Sequence, residues 1–433
     1  MRAARRARPS DVFLIHSGLF QKLVDILFPP ERFLCLVPWS ERIGHLGVEF
    51  LQAVRVAKRD SLTLVLFKPV GFQIVNPHLF DCQLDCKVYS RKDWRVALVY
   101  FYLGINSIWD KLVNLGLRFL ATFPFLGFLQ SKQSKRYIRC GIEPILGGRR
   151  HRIRGASNYY DPKLMDSRGP AIQLSESQKS VHDALWAALE VPSDRWLVVL
   201  HIRDSGYLGH HKSYDFRNGN INSYYKLIEY IYDSGGFTVR IGDPRSPFLV
   251  ERMPGFYDLA HSESNSALLE LGLFQKARYF VGSSSGPLSL AQAFDLPSLI
   301  TEVGDFPLGG VCSKALMIPK HIYSPVDRKH LNLMEIWEKW ATYPNQGNFV
   351  YLSNTPVEIV SAFKDLEKGL TPNSHILWPE YQNSRQRAIR ERLNRAGENL
   401  EEAGLEDLYC SMLEFPGLIA PSFFHAQITR DPG

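Results

Sequence analysis

Short apolar runs alternate with amphipathic stretches along much of the chain. Phe33 to Val37 is a compact apolar run of the kind that predicts a buried strand. A polar turn over Ser40 to Gly44 follows, and then apolar positions spaced as one helix face from about Leu46 to Ala57. Leu62 to Phe67 predicts a second strand. Further along, Ser175 and Gln178 have the spacing of a capping box ahead of a helix running to Glu190. Strands are then predicted over Trp196 to Ile202, Phe237 to Ile241, Tyr279 to Val281 and Ser298 to Thr301, separated by helices over Ile221 to Asp233, Ala267 to Lys276 and Leu288 to Phe294. Strands separated by single helices need crossover connections, which are right-handed and build a parallel sheet covered by helices on both faces.

The expected class is α/β, with two Rossmann-like domains and a helical C-terminal tail. A basic arm and amphipathic helix occupy 1–30, an N-terminal domain 31–155, a C-terminal domain 170–354 and the tail 355–433. In the arm, Arg2, Arg5, Arg6 and Arg8 precede Val12, Ile15, Leu19, Leu23 and Ile26, a pattern that suits either an anionic membrane surface or docking on the domain. The apolar stretches Val96 to Trp109 and Phe119 to Gln130 fall short of the roughly 20 residues a spanning helix needs and read as buried or interfacial helices. Between the domains, Lys132 to Arg154 holds eight basic residues against one acid, Glu143, and reads as a linker or boundary loop. In the tail, Thr355-Pro356 starts one helix, and Glu380 to Glu402 predicts a long charged one.

Composition narrows the partners. With 433 residues, 45% hydrophobic and 22% charged, the chain is neither disordered nor collagen-like. Lys plus Arg number 51 against 44 Asp plus Glu, and the net charge of +7 favours anionic partners. Six cysteines in such a long chain make no disulfide framework, which with the charge-broken N-terminal segment leads to the expectation of a cytoplasmic protein, peripheral at most to the inner face of the membrane. The basic stretch has few interleaved aromatics and no recognised motif, so nucleic acid is not an expected partner.

The loops after the predicted strands of the second domain carry most of the chemistry. They are His201-Ile202-Arg203-Asp204-Ser205-Gly206-Tyr207, Arg240-Ile241-Gly242-Asp243-Pro244 and Gly282-Ser283-Ser284-Ser285-Gly286-Pro287. All fall on the carboxyl edge of the sheet, where open α/β sheets bind ligands. Strand alternation puts His201 and Arg203 on one side, and Arg203 offers a planar donor fork suited to phosphate. Ser283 to Gly286 precede a helix, an arrangement that suits an anion site or a simple helix cap. Asp204 or Asp243 can instead hold Arg203 in a buried salt bridge. Asp215-Phe216-Arg217-Asn218 lies in a polar loop able to contact a sugar.

In the first domain, Glu41-Arg42-Ile43-Gly44-His45-Leu46-Gly47 occupies the predicted loop after the first strand, with Glu49 close behind. Glu41, His45 and Glu49 are candidate general bases, and His45 equally suits a structural role. His78, Cys82 and Cys86 are spaced to share a helix face, but no second cluster completes a zinc site, and no metal is expected.

The motifs His201-Ile-Arg-Asp-Ser-Gly-Tyr, Asp215-Phe-Arg-Asn, Arg240-Ile-Gly-Asp and Val281-Gly-Ser-Ser-Ser-Gly-Pro, with Arg42-Ile-Gly-His-Leu, resemble a bacterial family of glycosyltransferases associated with surface polysaccharides. More distantly they are similar to the GT-B O-fucosyltransferase group, which carries a His-x-Arg motif after a strand of the donor domain. The resemblance spans roughly residues 33 to 305. It implies a GT-B fold and a hexosyl or deoxyhexosyl transferase that uses a nucleotide sugar as substrate, with no resident cofactor or metal. By the same resemblance a glycan or lipid-linked acceptor would be held mainly by the N-terminal domain, and Arg203 would bind the diphosphate and assist its departure, with Ser283, Ser284 and Ser285 as further phosphate contacts. His201, Asp204, Arg217, Asn218, Gly242, Asp243 and Gly286, from the same loops, are the further candidates for holding the donor. Asp204 stands where many fucosyltransferases have a second basic residue. A non-catalytic nucleotide- or anion-binding module attached to a membrane surface is the competing reading.

Overall fold

The structure, a computed structural model, describes residues 26–28, 33–36, 38, 43–66, 68, 74–89, 93–98, 101, 142–143, 145–146, 149–150, 169–189, 191–204, 215–249, 252–304, 314–332, 335–336, 349–369 and 418–423. The chain divides into one unit of residues 1–75 and 84–159 and another of residues 76–83 and 160–433.

In the first unit, β1 (Phe33–Leu36), α1 (Ile43–Arg59), β2 (Thr63–Leu66), β3 (Val88–Tyr89) and β4 (Ile142–Glu143) form a four-stranded sheet of order β3-β2-β1-β4 with its covering helix. β1, β2 and β3 run parallel, and β4 closes the edge antiparallel. The helix begins earlier than the sequence suggests. Ile43, Leu46, Phe50, Val54 and Ala57 follow one another at three- and four-residue steps, and burial of the last four outweighs the roughly 1 kcal/mol that each helical glycine costs. Gly44, His45 and Gly47 are therefore helical rather than part of a loop, while Glu41 and Arg42 lie outside the described residues.

The second unit is built on seven parallel strands among the described residues. In chain order its elements are α2 (Glu176–Ala187), β5 (Trp196–His201), α3 (Tyr225–Asp233), β6 (Gly236–Arg240), β7 (Phe256–Asp258), α4 (Ala267–Lys276), β8 (Tyr279–Ser283), α5 (Pro287–Ala293), β9 (Ser298–Val303), β10 (Ala315–Pro319), α6 (Pro356–Glu367) and β11 (Leu418–Ile419). The sheet order is β7-β6-β5-β8-β9-β10-β11. Central strands β5, β8 and β9 are buried along nearly their whole length, which explains their continuous apolar runs. From β5 the chain builds outward through β6 and β7, then returns to place β8 on the other side. This reversal is a topological switch point, where the connections leave a crevice beyond the carboxyl ends of the strands.

Local signals position these elements. Gln178 accepts from the Ser175 amide at 3.0 Å at the start of α2, and Ser266 accepts from the Leu269 amide at 3.2 Å at the start of α4. Thr355 and Glu358 form the reciprocal capping box of α6, with bonds of 3.3 and 2.9 Å. Glu358 also meets His321 at 3.0 Å. Burial pushes the Glu358 carboxyl upward, but the bonds from His321 and Thr355 outweigh it and hold the pKa down at about 2.

The segment 355–433 is not simply a helical tail. α6 packs against α3 and the sheet, and Leu418–Ile419 pairs in parallel with β10. An apolar run of this length between Gly417 and Pro421 is too short to declare itself as a strand. His78, Cys82 and Cys86 do not share a helix face either. The turn Pro77–Asp81 is 3-10, it ends at Cys82, and strand residues Gln83–Leu84 follow. Burial pushes both thiols up to about 12. Nearly all of the arm helix and of the two apolar stretches, and the helix over 380–402, fall outside the described residues. Among the described residues no helix is long and apolar enough to cross a membrane.

Candidate nucleotide site

The three loaded loops meet at the switch point. Strand alternation along β5 directs His201 to the face opposite buried Leu200 and Ile202, and the next residue on its side is Arg203. The Nδ1 of His201 lies 2.9 Å from the Ser285 hydroxyl, across from the end of β8. Ser285 also donates to the Ser283 carbonyl at 3.0 Å. The Ser285 hydroxyl has one proton, which serves either the Ser283 carbonyl or the imidazole at a time. Burial, followed by the nearby Arg240 and Arg203 charges, pushes the His201 pKa down to about 4 against the opposing pull of Asp204, so the ring is neutral at physiological pH.

The Arg203 amide donates to the Ser283 hydroxyl at 2.7 Å, and the Arg203 carbonyl accepts from the Gly219 amide at 2.8 Å. The guanidinium of Arg217, on the 3-10 turn Asp215–Arg217, donates to the Ser284 carbonyl at 2.6 Å. Two arginines thus gather around the carboxyl ends of β5 and β8. On the other flank, Gly242 adopts φ +155, and a side chain there would stand 4.0 Å from the His201 ring and 3.8 Å from Ala260. There is room for that carbon, so it is the backbone conformation that calls for glycine here.

The serines play different parts from those expected. Ser283 is fully buried and spends its hydroxyl on the Arg203 backbone, and Ser284 is 4% exposed and offers its carbonyl to Arg217. Both shape the loops, and Ser285 and Gly286 are the accessible members of the run. The helix end does not supply an anion cradle. α5 is two turns long, Pro287 has no amide hydrogen, and the Leu288 and Ser289 amides bond back to Ser285 and Gly286 at 3.2 and 3.0 Å.

The acids also have assigned partners. Asp204 lies 3.9 Å from the Arg240 guanidinium, which bonds Asp258 at 3.0 Å. Asp243 forms a two-point pair with exposed Arg245, at 2.7 Å from each carboxylate oxygen, and this pair holds its pKa low. Asn218 gives its carbonyl to Lys320 at 2.5 Å. In the first unit, Glu49 is completely buried in α1, which removes it as a base for an incoming substrate. His45 sits in the first turn of that helix.

Two carboxyls at this edge escaped the sequence reading. Glu270, in the first turn of α4, accepts from the Gly242 amide and from Asn265, yet burial raises its pKa to about 7. Glu302, at the end of β9, takes the left-handed φ of +56, which is costly for a residue with a side chain. It lies 3.5 Å from Lys320 and accepts from the Asn354 amide at 3.3 Å. Burial raises it to about 6. Perturbed carboxyls of this kind concentrate at functional sites. Among the described residues no three His, Cys, Asp or Glu side chains are arranged to hold a metal ion.

No protein-family model and no curated protein matches the sequence. Among solved structures, the chain is similar to the glycosyl transferase family 9 protein from Veillonella parvula DSM 2008, with 12% identity and a TM-score of 0.31 over 46% of this chain and 54% of that one. It is also similar to E. coli ADP-heptose LPS heptosyltransferase II, with 14% identity and a TM-score of 0.36 over 66% of this chain and 90% of that one. The chain thus spans about half the length of the first of these two glycosyltransferases.

Proposed function

We propose that the protein is a glycosyltransferase that binds a nucleotide sugar at the carboxyl edge of the second unit and passes the sugar to a glycan or lipid-linked acceptor. The observation that carries this reading is the meeting of His201, Arg203 and Ser285 at the switch point between β5 and β8, where parallel α/β sheets receive nucleotides.

In this reading Arg203 meets the charge that builds on the diphosphate as the glycosidic bond breaks, with Arg217 behind it. Preorganised cationic donors do for a leaving diphosphate what a metal does elsewhere, so the reaction needs no metal. The Nε2 of the neutral His201 ring hydrogen-bonds a sugar hydroxyl and orients the sugar. Glu41 and His45 are the residues to test for deprotonating the acceptor. The basic stretch 132–154 and the N-terminal arm suit an acceptor held at an anionic membrane surface on the cytoplasmic side. The sugar moved is a hexose or a deoxyhexose such as fucose.

The test is incubation of the full chain with a panel of nucleotide sugars, with release of nucleoside diphosphate as the readout. Release from one donor, lost in Arg203→Ala, supports the reading. A folded wild type that binds a nucleotide yet never releases diphosphate from any donor or acceptor overturns it in favour of a non-catalytic module.

A further inference from the structure

A solvent-facing aromatic ring stands at the same sheet edge. Phe248, in the loop that follows β6, is 66% exposed. It lies flat on the His261 imidazole, with ring centroids 3.7 Å apart and planes 22° from parallel. Leaving a phenyl ring in water forgoes its burial energy, yet this one is held open by a chain of polar contacts. His261 Nδ1 meets Asp258 at 2.9 Å and its Nε2 meets the Ser246 carbonyl at 2.8 Å, which fixes the imidazole plane. Arg240, itself 1% exposed, bonds the Pro247 carbonyl at 2.7 Å and Asp258 at 3.0 Å. The loop is therefore pinned on both residues immediately before Phe248.

The same Arg240 reaches Asp204, next to Arg203, at 3.9 Å. One buried cation thus ties the platform to the loop that carries the phosphate-binding arginine. The Pro247 carbonyl, the Arg240 guanidinium and the Asp204 carboxylate follow one another at 2.7 and 3.9 Å, so the residue before Phe248 and the residue after Arg203 flank one side chain. A diphosphate beside Arg203 and Ser285 therefore has the platform on the β6 side of it.

We infer that the outer face of Phe248, backed by His261, is the stacking platform for the nucleobase of the donor. The inference rests on the nucleotide-sugar reading and deepens it, because a lipid diphosphate sugar has no base to stack. Stacking on an aromatic ring tolerates any base, so the platform supplies affinity, and discrimination among bases falls to groups around its edge. The ring is held in place before the ligand arrives, which lowers the ordering cost of binding.

Calorimetric titration of the full chain with adenosine, guanosine, uridine and cytidine diphosphates and with inorganic pyrophosphate tests this. For the best nucleotide, Phe248→Ala is expected to weaken binding by about 10-fold or more, while Phe248→Trp retains it and adds a fluorescence signal quenched by the nucleotide. Pyrophosphate binding stays unchanged in both variants. Nucleotide affinity undiminished in Phe248→Ala, or an equal loss for nucleotide and pyrophosphate, overturns the platform while leaving the nucleotide reading standing. A wild type that prefers no nucleotide over pyrophosphate overturns the donor reading itself.

Discussion

The backbone amide of Arg203 and the side-chain hydroxyl of Ser283, 80 residues apart in sequence, are joined by a 2.7 Å hydrogen bond. It ties the loop after β5 to the end of β8 and so sets where the Arg203 side chain begins. Ser283→Ala removes the acceptor and leaves a partly buried amide without it, at a cost of about 1 to 3 kcal/mol in unfolding free energy. Urea denaturation should show that loss. Nucleotide titration should show weaker binding as well, although the Ser283 side chain is too buried to touch a ligand.

His201 makes the fold sensitive to acid. The unfolded imidazole titrates near 6.5 and the folded one near 4, so between these values the unfolded chain holds more protons and stability falls as pH drops. The loss should be on the order of 2 to 3 kcal/mol by pH 4. A His201→Gln variant should show a flatter dependence over pH 4 to 6.5 in denaturant titrations. An unchanged slope would mean that the ring is not held neutral by its surroundings.

Glu270 acts in the opposite direction. Its folded pKa of about 7 lies above the ordinary 4.5, so in that window the folded chain holds more protons and stability falls as pH rises. Glu270→Gln should therefore gain stability relative to wild type between pH 5 and pH 8. Equal shifts at both pH values would contradict the assignment.

Gly272 inverts a familiar rule. Replacing a helical glycine by alanine ordinarily stabilises by roughly 1 kcal/mol. Here the added carbon would stand 1.8 Å from the His182 ring, whose own residue is 1% exposed. Gly272→Ala should cost about 1 to 3 kcal/mol through overpacking, and His182→Ala in the same chain should recover part of it. Thermal or chemical unfolding of the two variants decides the sign.

The frame of the second unit was legible because its central strands are buried on both faces and therefore write unbroken apolar runs such as Leu197 to Leu200. The three loops could be placed on one edge from parallel connectivity alone. Which atoms meet could not be read. Ser283 and Ser285 look alike in sequence, and only the register of β5 against β8 gives one to the Arg203 backbone and the other to His201. Glu270 and Glu302 were invisible because a carboxyl in a helix turn or at a strand end has no sequence sign of what buries it. Arg240 pairs with Asp258 across neighbouring strands, a register effect of the same kind. In the first unit the two glycines looked like loop punctuation, and the helical stripe behind them prevailed.

The central claim is that Arg203 and its loops bind the diphosphate of a nucleotide. Calorimetric titration of wild type and Arg203→Ala with the four nucleoside diphosphates tests it most directly. One diphosphate should bind selectively and lose about 10- to 150-fold in affinity in the variant, the equivalent of about 1.5 to 3 kcal/mol for a charge-assisted bond. Equal, weak responses to every anion in both proteins would contradict it.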